Sequence, residues 1–117
     1  MSGHNIQKYL FDIVEAGERI MSFVSGKDFD QYQKDILLQS GVERQFEIIG
    51  EALNQVVKIE PELSNKISNS SQIISFRNFL IHRYASVSDE VVWGVIDSYL
   101  PTLIIEAKSL MMQRDLD

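Results

Sequence analysis

No cysteine occurs among the 117 residues, which excludes both a disulfide framework and a thiolate metal centre and suits a reducing compartment. Proline appears twice and glycine six times. That is too few for an internal linker, so residues 1–117 are expected to form a single domain around one core. Nowhere do eighteen apolar residues follow one another, and the opening "MSGHNIQKYLFDIVEAGERI" carries acids and no cationic start before an apolar run. A cytoplasmic protein, neither exported nor membrane-spanning, is the expectation. Histidine is scarce, with only His4 and His82. Acids are missing where they would be least expected: the net charge is -6, yet none stands between Glu62 and Asp89. The overall charge argues against broad, nonspecific attraction to polyanions. The acid-free window, by contrast, holds Lys66, Arg77, Arg83 and His82, the one long stretch whose formal charge is purely positive.

What is present is helical periodicity. Ile6, Tyr9, Leu10, Ile13, Gly17, Ile20, Met21 and Val24 recur at steps of three and four and predict a first helix ending near Gly26. "GKDFDQYQKD" predicts a break. Leu38, Val42, Phe46, Ile49, Leu53 and Val56 then mark one face of a second helix. Pro61 disfavours helix at Glu60, and the Ser/Asn cluster after it is turn chemistry with cap candidates. Ile73, Ile74, Phe76, Phe79, Leu80 and Ile81 predict a shorter third helix. Ser88 can cap a fourth, whose first turn holds Asp89 and Glu90 and whose inward residues are Val92, Trp93, Ile96, Leu100, Leu103, Ile104, Ala107 and Leu110. Pro101 inside that run predicts a kink or a restart. No strand-like alternation competes, so the fold class is all-α, an antiparallel four-helix bundle.

The third helix ends in "RNFLIHRY", residues 77–84. Imidazole exchanges a proton near neutral pH, and guanidinium offers a permanent charge with a planar fork of donors suited to phosphate. Together they fit metal-free cleavage of an RNA phosphodiester. His82 would take the proton of the ribose 2′-hydroxyl, and Arg77 would stabilise the charge building on the phosphoryl oxygens. On an ideal helix five residues turn the direction by roughly 140°, so Arg77 and His82 do not share a face, whereas Asn78 and His82 do. His4 sits in a terminus expected to fray, so one chain lacks a second acid–base group. Pairing two chains about a symmetry axis resolves both difficulties, and a homodimer is expected. The plain alternatives are a histidine that caps or packs the helix end, Asn78 as an ordinary polar helix residue, and Tyr84 packed by its ring with a wet hydroxyl. Arg83 is either a solvated cation or a contact to RNA.

Beyond chemistry, "RNFLIHRY" resembles the R-x-x-x-x-H-x-Y pattern of the HEPN superfamily, with a polar residue directly after the arginine. "ERQFEIIGEAL" at 43–53 and "VVWGVIDSYLPTL" at 91–103 resemble segments of one branch, the HepT-like ribonuclease toxins. Three segments in order make the likeness far more specific than one short pattern. The resemblance implies a single all-α HEPN domain, a homodimer with its cleft at the subunit interface, and metal-independent endoribonuclease activity without a cofactor. It places Arg77 and His82 on the catalytic positions and Asn78 on the supporting one. It further implies the toxin half of a type VII toxin–antitoxin system, held in check by an MntA-like nucleotidyltransferase antitoxin that transfers AMP to Tyr84. A bulky, negatively charged adenylyl group there could pair with Arg77 or Arg83 and fill the RNA path. The rival reading is a catalytically silent HEPN module that binds a nucleotidyltransferase or a nucleotide.

Glu43, Glu47 and Glu51 lie at steps of four, nearly opposite the apolar face of the second helix. Carboxylates so spaced can hold a divalent cation. The expectation is instead a solvated or interface stripe, with Arg44 paired to Glu47 or Glu51, or a docking surface for a basic antitoxin. The rings of Tyr9, Trp93 and Tyr99 follow helical periodicity and are assigned to core or dimer contacts.

Overall fold

Helix accounts for nearly all of the chain. A computed structural model describes residues 2–82 and 87–116, with side chains for 5–82 and 87–114, and no strand occurs among the described residues. The elements are α1 (Ser2–Val24), α2 (Phe29–Gln33), α3 (Ile36–Ile59), a 3-10 turn (Pro61–Asn65), α4 (Ser70–His82), α5 (Asp89–Ser98) and α6 (Leu100–Leu116). No helix among the described residues is long and apolar enough to cross a membrane.

Local chemistry sets the ends of these helices. Gly26 supplies the positive φ of 74° that turns the chain out of α1. Asp28 and Gln31 then form a reciprocal capping box, Gln31 N donating to Asp28 Oδ1 at 2.9 Å and Asp28 N to Gln31 Oε1 at 2.8 Å. The expected break therefore contains a one-turn helix, α2, which periodicity could not show because five residues are too few to repeat. Asp35 caps α3 through Leu38 N at 3.0 Å. Pro61 opens the 3-10 turn immediately after α3, where its missing N–H costs nothing. Ser88 caps α5 as expected, accepting from Val91 N at 3.4 Å. The Ser/Asn cluster before α4 spends its hydrogen bonds differently. Ser68 N and Oγ both donate to Glu106 on α6, at 2.9 and 2.8 Å, tying the turn to the last helix.

The expected fourth helix is broken in two. Tyr99 closes α5, and α6 restarts at Leu100 with Pro101 in its first turn, the position a proline tolerates best. Long α1 packs against α3 and α6, α4 against α3, and α5 against α6. Antiparallel order is visible in the α1–α6 contacts: Gln7 Nε2 donates to Met111 O at 3.1 Å, while Gly17, ten residues on, faces Ile104 and Leu100. The inward residues of α3 named above are all buried, as are those of α5 and α6 except half-buried Trp93. Two expected stripes are only partly met. On α1 Met21 is exposed, and on α4 Ile73 and Leu80 are buried while Phe79 and Ile81 remain 36% and 43% exposed. The apolar residues of α4 spread over more than one side of the helix, so one packed face cannot cover them all.

Trp93 holds α2 against α5, with its ring 5.3 Å from Tyr32 and 6.2 Å from Phe29. Tyr32 is fully buried, and its hydroxyl has no hydrogen-bond partner among the described residues. Burial, with smaller contributions from the Glu43 and Asp89 carboxylates, pushes its phenol far above the ordinary tyrosine range. A pKa raised on folding gives stability that is complete below the unfolded value of about 10 and is lost as pH climbs past it. Tyr32→Phe removes an unpaired buried hydroxyl and keeps the ring. It is expected to be neutral or stabilising by about 1 kcal/mol at neutral pH and to lose less stability in alkali than the parent. Thermal unfolding followed by circular dichroism at several pH values checks both effects.

Candidate active site

Arg77 reaches its position through a close crossing of α3 and α4. At the crossing stands Gly50, buried, and a Cβ built on it would overlap the Cβ and Cγ of Arg77. One turn earlier, Phe46 meets Phe76 edge to face with ring centroids 5.2 Å apart. The stem of Arg77 therefore lies flat on a bare stretch of α3 backbone, and only its head is adjustable.

That head is held from two directions. Nη2 donates to Glu51 Oε2 on α3, and Nη1 donates to Asn78 Oδ1 at 2.9 Å. Nε is buried without a partner among the described residues. The arginine side chain is 20% exposed and the Glu51 side chain 48%. The other carboxylate oxygen of Glu51 accepts from Gln55 Nε2 at 3.0 Å, one turn further along α3. Gln55, Glu51, Arg77 and Asn78 thus form one chain of hydrogen bonds across the two helices. Three of the five guanidinium N–H groups remain uncommitted, the buried Nε–H and one on each Nη, and the pair on the two Nη atoms suits bidentate contact with a phosphate.

Beside Arg77 opens a groove of about 240 Å³ lined by Tyr9, Arg44, Glu47, Glu51, Arg77 and Ile81, among others. Arg44 pairs with Glu47 at 3.4 Å on the exposed side of α3. A larger hollow, about 650 Å³, lies between α4 and α5 and is lined by Phe76, Phe79, Val91, Val95 and Tyr99 together with a few serines. It has room but no ionisable side chain except that of Tyr99, so the candidate chemistry belongs to the smaller groove. Among the described residues, no three His, Asp or Glu side chains come together as a metal site.

The remaining candidates divide by face. Asn78 and His82 are exposed, His82 in the last turn of α4, while Arg77 turns toward α3. This division is what their helical spacing predicts. Arg83 and Tyr84 lie outside the described residues, between α4 and α5. The backbone of α1 is helical from Ser2, which places His4 in its first turn. Tyr9 and Tyr99 are half-buried against the core, and Tyr9 also walls the groove at Arg77. Sequence reasoning missed Gly50 and the partner of Glu51. The stripe of three glutamates is not uniform, because Glu51 is engaged by Arg77. The only signal available in sequence was the pairing of a small residue with an acid, Gly50-Glu51, within the segment shared with HepT-like proteins.

Comparison with known proteins bears on the same segments. A family model described as "Ribonuclease HepT-like" matches residues 13–110. A Thermococcus cleftensis protein named as a probable ribonuclease HepT is 33% identical over 99 residues, covering 81% of this chain and 86% of its own. A Caldanaerobacter subterraneus subsp. tengcongensis protein provisionally named an RNase is 30% identical over 105 residues, 90% of this chain and 93% of its own. A Methanocaldococcus jannaschii protein, also provisionally named an RNase, is 28% identical over 113 residues, 95% of this chain and 91% of its own. No solved structure gives a significant match.

Proposed function

The chain belongs to the HepT-like ribonuclease family, and from that premise we propose that it is a metal-independent endoribonuclease, the toxin of a type VII toxin–antitoxin system, acting as a homodimer through Arg77 and His82. The observation that carries this reading is Arg77 itself: a guanidinium braced by Glu51 and Asn78 at the edge of a groove, with an exposed histidine at the end of the same helix.

In the proposed reaction His82 accepts the proton of a ribose 2′-hydroxyl. The freed oxygen attacks the adjacent phosphorus, and the bond to the 5′-oxygen breaks as that oxygen takes a proton from the imidazole of the second subunit. The products are a 2′,3′-cyclic phosphate and a 5′-hydroxyl. Arg77 meets the charge that grows on the phosphoryl oxygens, with no change in its own protonation. Asn78 acts by holding the Arg77 head, and Arg83 contacts the RNA backbone. Pairing of two chains is supported by Ile81, apolar and 43% exposed beside the groove at Arg77, one residue before His82. Regulation by an MntA-like nucleotidyltransferase that adenylylates Tyr84 is part of the same proposal, and the protein works in the cytoplasm.

Purified, unmodified protein incubated with total RNA in EDTA is the test. Fragments ending in cyclic phosphate, formed by the parent and absent with Arg77→Ala or His82→Ala, are the expected result. Intact RNA together with tight binding of the nucleotidyltransferase would replace this reading with the silent binding module.

A further inference from the structure

Glu51 is an acidic group in direct contact with Arg77 of the proposed catalytic machinery, and its own placement is unusually complete. Its carboxylate is gripped at one oxygen by Gln55 and at the other by Arg77. It follows directly on Gly50, whose missing side chain lets Arg77 lie against α3. Stem and head of the arginine are thus fixed by adjacent residues of one helix. An acid here has a cost, since it repels the phosphates that the groove is proposed to take. If the contact served only to join α3 and α4, an apolar pair could do so without that repulsion, and the half-exposed position of Glu51 makes the ion pair a weak source of stability. What a charged, bidentate-capable acceptor supplies is direction. It selects one rotamer of a long side chain and leaves one N–H on each terminal nitrogen of Arg77 for a phosphate.

Resting on the ribonuclease reading above, we infer that Glu51 is a positioning residue for Arg77: it orients the guanidinium toward the scissile phosphate and touches no substrate itself. Gln55 steadies Glu51 in turn. Four single-site variants and one double variant test the assignment by RNA cleavage under multiple-turnover conditions, with unfolding temperature measured on each. Glu51→Ala is expected to lower kcat about 10²-fold with little change in KM, because a misaimed arginine fails mainly where charge develops. Glu51→Gln keeps an acceptor of the same length and is expected to restore most of the rate. Glu51→Asp keeps the charge but withdraws it by one methylene, and is expected to resemble the alanine variant. The double variant Arg77→Ala/Glu51→Ala is expected to be no worse than Arg77→Ala alone, since a residue acting only through another adds nothing once that other is gone.

Wild-type rates in Glu51→Ala, or losses that simply multiply in the double variant, would overturn the inference while leaving the ribonuclease intact. A Glu51→Gln protein as inactive as Glu51→Ala would also overturn it, pointing to proton chemistry at the carboxylate. Absence of cleavage by the parent chain, or full activity in Arg77→Ala, would instead remove the functional reading and this inference with it.

Discussion

His82→Ala is expected to cut RNA cleavage by about 10²–10⁴-fold, the range associated with losing a positioned general acid–base group, with the fold unchanged. The reasons are separable. His82 is exposed at the end of α4 and is absent from the buried core, so truncating it creates no cavity. Its removal should move stability by only about 1 kcal/mol, the loss of a surface contact without a cavity. Circular dichroism and the unfolding temperature check the second point, and appearance of cyclic-phosphate ends checks the first. A single helix directs Arg77 and His82 to different sides, so the reacting pair is expected to form between subunits. The proposed step also draws one imidazole from each subunit, so exchanging wild-type chains with an excess of His82→Ala chains should silence the wild-type chains, each mixed dimer keeping only one imidazole. Undiminished cleavage by His82→Ala would end the mechanism. Mixed dimers that keep half the wild-type rate would confine the site to one subunit and remove the second imidazole from the path.

The second large effect is on stability. Gly50→Ala is expected to lower the unfolding free energy by about 1–3 kcal/mol, the ordinary cost of overpacking a close contact. For a domain near this size each kcal/mol corresponds to a shift of roughly 4–8 °C in unfolding temperature. Alanine is the better helix former by about 1 kcal/mol, so the sign of the effect is decided by the crossing and not by propensity. The atoms in the way are the Cβ and Cγ of Arg77, close to the α4 backbone, so relief requires the two helices to separate. Separation carries Arg77 away from Glu51, and cleavage should fall in parallel. Gly94 on α5 is the internal comparison. Nothing lies within 4 Å of a Cβ placed there, and Gly94→Ala should stabilise by about 0.4–1 kcal/mol. A Gly50→Ala protein as stable as Gly94→Ala would show that α3 and α4 do not approach as closely as described.

The proline at 101 illustrates how a local rule can be right about a disturbance and silent about its form: a kink or restart was predicted, and the helix in fact ends and begins again. The segment 27–35 shows the opposite limit. Its capping box was written in Asp28 and Gln31, but a five-residue helix has no period to detect, and what makes it persist is Trp93 resting on Phe29 and Tyr32 some sixty residues later in the chain. The glutamate stripe shows a third case. Spacing placed Glu43, Glu47 and Glu51 on one side of α3, and it paired Arg44 with Glu47 as one of two options, but it treated Glu51 as equivalent to its neighbours.

By itself the sequence determined the all-helical class, the buried faces of α3, α5 and α6, the capping of α5 at Ser88, and the separation of Arg77 from Asn78 and His82 around one helix. Each of these follows from interactions within a turn or two, which side-chain pattern encodes directly. Only the tertiary structure decided that Gly50 marks the crossing, that Glu51 receives Arg77 from 26 residues away, and that Tyr9 closes the groove beside them. Which faces meet, and at what height along each helix, depends on how whole surfaces interlock. Periodicity along one helix carries no record of the helix that will press against it.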